Sequence, residues 1–165
     1  MTTKKHNSGY TLLELMVVMA LLALVAGLVV PSVAHGFGNM QLRTAAGSVS
    51  NLMAQARIHA VYESRHYMIV FGPASETERA LYLVRDDGKQ TQHVTLPPHL
   101  ALRAANAQHE WSDEPQPLHF FADGTSQFAQ LDLVGDRGRH VQVALDPLTA
   151  RVRVSQIYDA AEEQQ

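Results

Sequence analysis

The feature that most constrains this 165-residue sequence is an uninterrupted apolar run near its N-terminus. Leu15 to Val30 comprises 16 residues without a polar side chain. An α-helix rises about 1.5 Å per residue, so this run would span roughly 24 Å. Extending the helix to Thr11 and Val33 carries it past the roughly 30 Å hydrocarbon core of a bilayer. The run therefore predicts a single membrane-crossing helix.

The charged residues around this run predict its orientation. Lys4 and Lys5 precede it, and no lysine or arginine follows until Arg43. Positive charge is retained on the cytoplasmic side, which predicts a cytoplasmic leader and an extracytoplasmic C-terminal domain. A cleaved secretory signal is the alternative, because Ser32-Val33-Ala34 resembles a small-residue cleavage site ahead of His35. The run is, however, longer than the usual apolar core of such a signal.

Glu14 is the one charged residue between Tyr10 and Ala34. A charged side chain at the centre of a membrane helix costs about 2.5–3.5 kcal/mol on insertion scales, and less near the helix end. Such a residue is therefore a functional candidate that needs a partner. A secretory signal has no use for this carboxylate, whereas an assembling subunit does.

Residues 9–14, Gly-Tyr-Thr-Leu-Leu-Glu, stand between a short basic leader and the apolar run, and resemble the class III signal of type IV prepilins. This resemblance implies that a prepilin peptidase cleaves after Gly9 and methylates the new amino terminus at Tyr10. Phenylalanine is the commonest residue at that position, so Tyr10 is a mild departure. Pro31 matches the proline of many pilin helices, and a proline within a helix kinks or breaks it.

Cleavage would give Glu14 a partner. The freed ammonium of Tyr10 in one subunit would pair with the Glu14 carboxylate of a neighbour, each relieving the desolvation of the other. Such a pair would set the axial register of a filament.

The segment from Met40 to Ser64 contains no proline and predicts a continuation of the helix. Its apolar residues recur at helical spacing, while Arg43, Gln55 and Arg57 lie off that stripe. The stripe, which we expect to pack on a sheet, consists of Ala45, Val49, Leu52, Ala56 and Ala60.

After Arg65 the pattern changes to short strand-like runs separated by turn residues. Residues 104–117 are polar, contain Trp111 and predict a long loop between two sheets. Turn signals are Asp87-Gly88, Asp123-Gly124, the segment 135–138 and Asp146-Pro147. The predicted strands are 67–71, 80–85, 92–96, 100–103, 118–121, 128–134, 140–145 and 151–157, with two apolar stripes formed by Val141, Val143 and Leu145, and by Val152 and Val154.

These patterns predict an α+β fold, in which a long N-terminal helix with a transmembrane half and an amphipathic half packs on a mostly antiparallel β-sheet domain. The resemblance to pilins implies the same architecture. The predicted organisation is a cleaved cytoplasmic leader (1–9), a transmembrane or filament-core helix half (10–34), an amphipathic helix half (35–64), a periplasmic β-rich domain (65–158) and a frayed acidic tail (159–165).

Two C-terminal segments, Phe120 to Gly124 and Asp146 to Val152, resemble the family shared by pseudopilin H and FimT, although Ala150 replaces the usual glycine. Pseudopilin H resembles a linker in the periplasmic pseudopilus of type II secretion. The implied function is that of a minor pseudopilin that supports export of folded proteins across the outer membrane. The implied partners are the major and tip pseudopilins, the prepilin peptidase and inner-membrane lipid, with no small-molecule substrate.

The alternative within this family is a FimT-like minor type IV pilin involved in pilus assembly or DNA uptake. Its candidate DNA contacts would be Arg137, Arg139, Arg151 and Arg153. Without Lys4 and Lys5, 11 of the 13 basic residues remain against 16 acidic ones. Because phosphate neutralisation dominates affinity for DNA, this balance disfavours nucleic acid as a partner.

The sequence predicts neither an enzyme nor a cofactor or metal site. It has no cysteine, no G-x-S-x-G elbow and no phosphate-cradling glycine loop. Its nine histidines lack the close spacings that fix a metal on one element. A further alternative is a generic single-pass protein whose β domain binds a periplasmic ligand, and such a tether should tolerate Glu14→Ala or Glu14→Leu.

Overall fold

The computed structural model describes residues 11–105, 110–135 and 138–159, apart from the side chains of residues 27–37. Two compact units make up the chain, residues 1–37 and residues 38–165. The helix α1, Leu12–Glu63, begins in the first unit and ends in the second. Gly9 and Tyr10 lie outside the described residues. The side chain of Pro31 does so too, and the kink stays a prediction.

The C-terminal end of α1 is closed by a turn with two backbone hydrogen bonds. Ser64 N–H donates to the Val61 carbonyl at 3.3 Å, and Arg65 N–H donates to the Ala60 carbonyl at 3.1 Å. This pair of bonds, with Ser64 at φ 52°, is a Schellman motif. The motif turns the chain sharply out of the helix and into the first strand.

Ten strands follow within the described residues, and all their pairings are antiparallel. A four-stranded sheet has the order β3-β2-β1-β6, and a second sheet has the order β10-β8-β7-β4-β5 with β9 also paired to β8. The strands are β1 Tyr67–Pro73, β2 Arg79–Arg85, β3 Gln90–Leu96, β4 Ala101–Ala105, β5 Trp111–Ser112, β6 Leu118–Phe120, β7 Ala129–Val134, β8 Arg139–Leu145, β9 Val152–Val154 and β10 Tyr158–Asp159.

Some consecutive strands lie in different sheets. β1, β2 and β3 form a meander, after which the chain crosses to the second sheet for β4 and β5. It returns for β6, which pairs with β1 through Tyr67 opposite Phe120. The predicted α+β class, a long helix with a mostly antiparallel sheet domain, is confirmed.

Both sheets share one core with the second half of α1. The five residues of the predicted stripe are all buried, with at most 5% of their surface exposed, and Ala46 and Met53 on the same face are fully buried. They belong to one cluster with Leu81 and Leu83 of the first sheet and Leu131 and Val143 of the second. Alanine at several contact positions lets the helix backbone approach the sheets closely. At about 25 cal/mol per Å² of apolar surface removed from water, this packing is the main stabilising contribution.

Positive backbone angles occur where the turn signals predicted them. Gly88 has φ 82° and Gly124 has φ 85°. Asp146 Oδ1 accepts hydrogen bonds from the backbone N–H groups of Leu148 and Thr149, which forms the predicted turn before β9. Ala150, at the position where the related family has glycine, has φ 45° and is nearly fully buried. Its small side chain is accommodated in the left-handed region at some conformational cost.

Three local predictions differ from the structure. The predicted loop 104–117 contains β5, which pairs with the end of β4, so it is shorter than expected. Val154, predicted to share a buried stripe with Val152, is 46% exposed, because in the described residues β9 pairs with β8 alone and lies at an edge of the second sheet. The chain beyond the last predicted strand forms β10, since Tyr158 and Asp159 pair with the start of β8.

A substitution at the helix–sheet contact should destabilise the fold. Ala56 is fully buried and touches the core, so Ala56→Leu would overpack it and lower the free energy of unfolding by about 1–3 kcal/mol. Ala54 is exposed on the same helix, and Ala54→Leu should change that free energy by less than about 0.5 kcal/mol. Urea denaturation of both variants measures the difference, and equal midpoints would contradict the described packing.

Candidate functional site

The N-terminal end of α1 carries a helix cap that includes Glu14. Thr11 precedes the helix, and its hydroxyl oxygen accepts a hydrogen bond from Glu14 N–H at 3.2 Å. Thr11 and Glu14 thus have the spacing of a capping box, threonine at the N-cap and glutamate three residues on. The sequence carries this cap as a T-x-x-E signal, which the charge of Glu14 alone does not indicate. Glu14 thus takes part in the helix cap through its backbone N–H, while its carboxylate is exposed.

The first part of α1 presents apolar side chains to all sides. We call the following residues the apolar sleeve: Leu12, Leu13, Leu15, Met16, Val17, Val18, Met19, Leu21, Leu22, Leu24 and Val25. Every one of them is at least 48% exposed, and Leu12 reaches 80%. A helix that is apolar all round requires an apolar environment, either protein or lipid.

The structure describes the side chains of this segment as far as Ala26. Where the structure describes side chains, it has no helical stretch both long and apolar enough to traverse a bilayer. The predicted run continues into residues 27–37, whose side chains lie outside the described residues.

The four arginines considered as DNA contacts differ in their surroundings. Arg137 lies outside the described residues. Arg139 donates a hydrogen bond to Asn39 Oδ1, and its Nε lies 3.6 Å from Asp159 Oδ1, so it links α1, β8 and β10. Arg151 and Arg153 are exposed at β9. Among the described arginines of this set, therefore, two point to solvent and one has a structural partner.

The junction between α1 and β1 holds a connected set of polar side chains. The hydroxyl of Tyr67, which is fully buried as a residue, donates to Glu63 Oε2 at 2.8 Å. This bond and a second one with His59 lower the pKa of Glu63. Burial and the Glu63 carboxylate raise the pKa of Tyr67. Arg85 adds an ion pair with Glu63 at 3.6 Å, which fixes the end of the helix on the hairpin.

A histidine pair lies next to this junction. His119 Nδ1 on β6 is 3.0 Å from His66 Nε2, and the two ring planes are within 5° of each other. Phe121 lies beside His66, with ring centroids 5.3 Å apart. Burial, and secondarily the charge on His66, lower the pKa of His119. One proton can occupy the space between the facing nitrogens, so the pair is stable only while at least one ring is neutral.

The described part of the chain contains no group of three or more histidine or acidic side chains arranged to hold a metal ion.

Trp111, the one tryptophan, lies in β5 beneath Arg103, whose guanidinium carbon is 5.9 Å from the centroid of the Trp111 ring. Arg103 also pairs with Asp113 at 3.2 Å. These contacts make Trp111 a surface anchor for the segment between the sheets.

Comparison with known proteins adds two kinds of similarity. Residues 4–30 match the family model of the prokaryotic N-terminal methylation motif. A type II secretion system protein H from Xanthomonas campestris pv. campestris is 28% identical over 131 residues, which cover 79% of this chain and 73% of the relative.

Solved structures share the fold. The minor pseudopilin EpsH from the type 2 secretion system of Vibrio cholerae superposes with a TM-score of 0.57 and 13% identity, covering 74% of this chain and 98% of EpsH. The type IV minor pilin FimU from Pseudomonas aeruginosa superposes with a TM-score of 0.51 and 17% identity, covering 69% of this chain and 87% of FimU. The helix and antiparallel sheets described above therefore form the architecture of pilins and pseudopilins.

The histidine pair predicts a pH dependence of stability. The folded protein lowers the pKa of His119, whereas the unfolded chain has the ordinary histidine pKa of about 6.5. Below that pH the unfolded chain therefore binds more protons than the folded one. Stability is full above about pH 6.5 and declines on acidification. Thermal unfolding between pH 7.5 and 5.5 should show a falling midpoint, and His119→Gln should flatten this slope. The exposed His99 provides the control, since His99→Gln should keep the slope of the unmodified protein.

Proposed function

We propose that this pilin-like chain, which resembles type II secretion protein H, is a minor pseudopilin of a type II secretion system. It would assemble through its N-terminal helix and support export of folded proteins across the outer membrane. The observation that carries the proposal is the 131-residue similarity to a type II secretion system protein H. Because α1 ends at Glu63, a match of that length has to extend well into the β domain, beyond the motif that all prepilin-like chains share.

Processing at the N-terminus is the first step of this function. A prepilin peptidase would cut after Gly9, remove the leader 1–9 and methylate the amino group of Tyr10. The motif match over residues 4–30 supports this step. Thr11 then caps a helix that begins two residues from the new terminus, so cleavage would leave the cap intact.

The apolar sleeve supports anchoring and assembly. Its side chains are exposed in the single chain, and contact with lipid or with the helices of neighbours would remove that surface from water. We place residues 10–34 in the inner membrane before assembly and in the filament core after it, with Pro31 as the local break. The N-terminus would be cytoplasmic and the β domain periplasmic.

The β domain would act as a rigid body held by the second half of α1. Both sheets pack on that helix in one core, so a displacement of this half of α1 would move the whole domain. The partners would be the major and the tip pseudopilins, with prepilin peptidase and inner-membrane lipid acting before assembly. The role is assembly without catalysis, and the proposal includes no cofactor.

Intact mass and N-terminal sequencing of the protein from host membranes test the processing step. The proposal expects a chain that begins at N-methylated Tyr10. A chain beginning at Met1 would exclude prepilin processing, and one beginning at His35 would indicate a secretory signal.

Two substitutions separate the charge of Glu14 from its place in the helix cap. Glu14→Gln keeps the capping-box pattern but removes the carboxylate, and an ammonium left without its buried partner costs about 3–5 kcal/mol. Thr11→Val removes the cap, which costs about 1 kcal/mol, and keeps the charge. In a host that lacks the native gene, secretion of its cargo should be lost with Glu14→Gln and largely retained with Thr11→Val. The opposite ranking would show that Glu14 acts through helix capping.

A FimT-like minor type IV pilin is the second candidate, because Arg151 and Arg153 are exposed at β9. Phosphate contacts by these residues would give an affinity for DNA that falls steeply with salt. Gel-shift assays of the purified chain and of the double variant Arg151→Gln/Arg153→Gln discriminate the two functions. A pseudopilin should show no binding that depends on this pair.

A further inference from the structure

The strand β3 is an edge strand without the usual protection. Within the described residues it has one strand neighbour, β2, so its other side presents backbone N–H and C=O groups to solvent. It is seven residues long, and its sequence Gln-Thr-Gln-His-Val-Thr-Leu contains no lysine, arginine, acid or proline. Proteins usually shield such edges with charge, proline or short length, since an open edge pairs with any extended chain.

The other edges that the structure describes are protected. β6 has three residues, and Phe120 at its end forms a bridge with Ser126. β5 and β10 have two residues each. β9 has three residues and carries Arg153. Among the described edge strands, β3 alone is both long and uncharged.

A trough runs between this edge and α1. Its cavity volume is about 440 Å³, and its lining consists of Ser48, Asn51, Leu52 and Gln55 from the helix and Gln92, His93 and Val94 from the strand. Gln92 and Val94 lie opposite Leu83 and Leu81, so they belong to the face of the sheet that packs on α1. The helix thus covers the inner face of β2 but leaves a gap beside β3.

The helix wall of the trough is polar and uncharged. Ser48, Asn51 and Gln55 follow one another at helical spacing and form a line about 10 Å long, the length of about three residues of an extended strand. The Oε1 atom of Gln55 is buried in the single chain and has no hydrogen-bond partner there. A buried amide oxygen of this kind normally accepts a hydrogen bond. Because Gln55 also lines the trough, a segment that seats there and turns this amide toward itself can supply the missing donor.

We propose that β3 and this trough form a strand-addition site for an extended segment of a different, neighbouring pseudopilin. The backbone of that segment would pair with the free edge of β3. One of its inward side chains, a serine, threonine, asparagine or glutamine, would donate to Gln55 Oε1. Because the lining is neutral, an uncharged segment fits, whereas a lysine or acid would be desolvated there without a partner.

The choice of a strand over other occupants follows from the lining. An edge strand satisfies its free groups with another extended backbone, which a lipid chain or a small apolar molecule does not offer. This inference rests on the proposed function, since a neighbouring subunit exists only in an assembled filament.

Photochemical cross-linking in host membranes tests the site in the full chain. The sequence has no cysteine, so His93→Cys creates a unique thiol on the outer face of β3, beside the free edge, that 4-maleimidobenzophenone can label. Illumination should give an adduct with another pseudopilin, and mass spectrometry should locate the cross-link in an uncharged, extended segment. Backbone amides of residues 90–96 should also exchange more slowly in the assembled chain than in the detergent-dispersed chain.

A matched pair of lysine substitutions controls for nonspecific capture. Gln92→Lys introduces an inward charge at the edge and should reduce the adduct about tenfold or more. Gln127→Lys, at an exposed position away from the trough, should leave the yield unchanged. An adduct unaffected by Gln92→Lys, or an adduct between two copies of this chain, would overturn the proposal.

A second thiol distinguishes failure of this site from failure of the proposed function. Met16→Cys lies in the apolar sleeve and should cross-link to neighbouring helices in any filament. Adducts from Met16→Cys without adducts from His93→Cys would exclude strand addition while the pseudopilin function stands. Absence of both would exclude assembly itself, and strand addition with it.

Discussion

The packing of a small-residue stripe of α1 on two sheets is the contact on which the rest of the structure depends. In the described part of the chain, the four-stranded and six-stranded sheets bury their apolar faces together on one helix. Ala46, Val49, Ala56 and Ala60 are fully buried there. Because these side chains are short, the helix backbone can lie close to both sheets.

The two halves of α1 differ in how their apolar side chains are covered. In its second half an apolar stripe is covered by the chain itself, and exposed polar residues face water. In the sleeve the apolar residues surround the helix, and no part of the described chain covers them. The first half therefore requires lipid or other subunits, while the second half completes a folded domain.

Charge at the two ends of α1 is arranged differently. At the C-terminal end Glu63, Tyr67 and Arg85 satisfy one another and fix the helix to the β1–β2 hairpin. At the N-terminal end Thr11 satisfies a backbone group near Glu14, but the Glu14 carboxylate remains exposed. A satisfied network stabilises one chain, whereas an exposed carboxylate beside apolar surface favours association with a partner that carries positive charge. The open edge of β3 and the buried oxygen of Gln55 are a second unsatisfied feature, located on the domain instead of the anchor.

Sequence by itself determined the features that depend on local order along the chain. Helical spacing identified the buried stripe, alternation and turn residues located all eight predicted strands, and the Gly9-to-Glu14 motif identified the class of protein. These signals are local because side-chain direction in a helix or strand is set by the backbone within a few residues. The T-x-x-E cap is also a local signal, since threonine and glutamate lie three residues apart in the sequence.

Tertiary structure alone decided which groups meet and which are left open. Arg139 contacts Asn39, and His119 contacts His66, across separations that no local pattern encodes. The exposure of Val154 depends on the edge position of β9 in the second sheet, and the exposure of β3 depends on which strands pair with β2. Gln55 lies off the apolar stripe in the sequence, but the fold buries its amide oxygen beside the sheet edge. Burial and hydrogen-bond satisfaction depend on contacts between segments that are distant in the sequence. No single segment determines them.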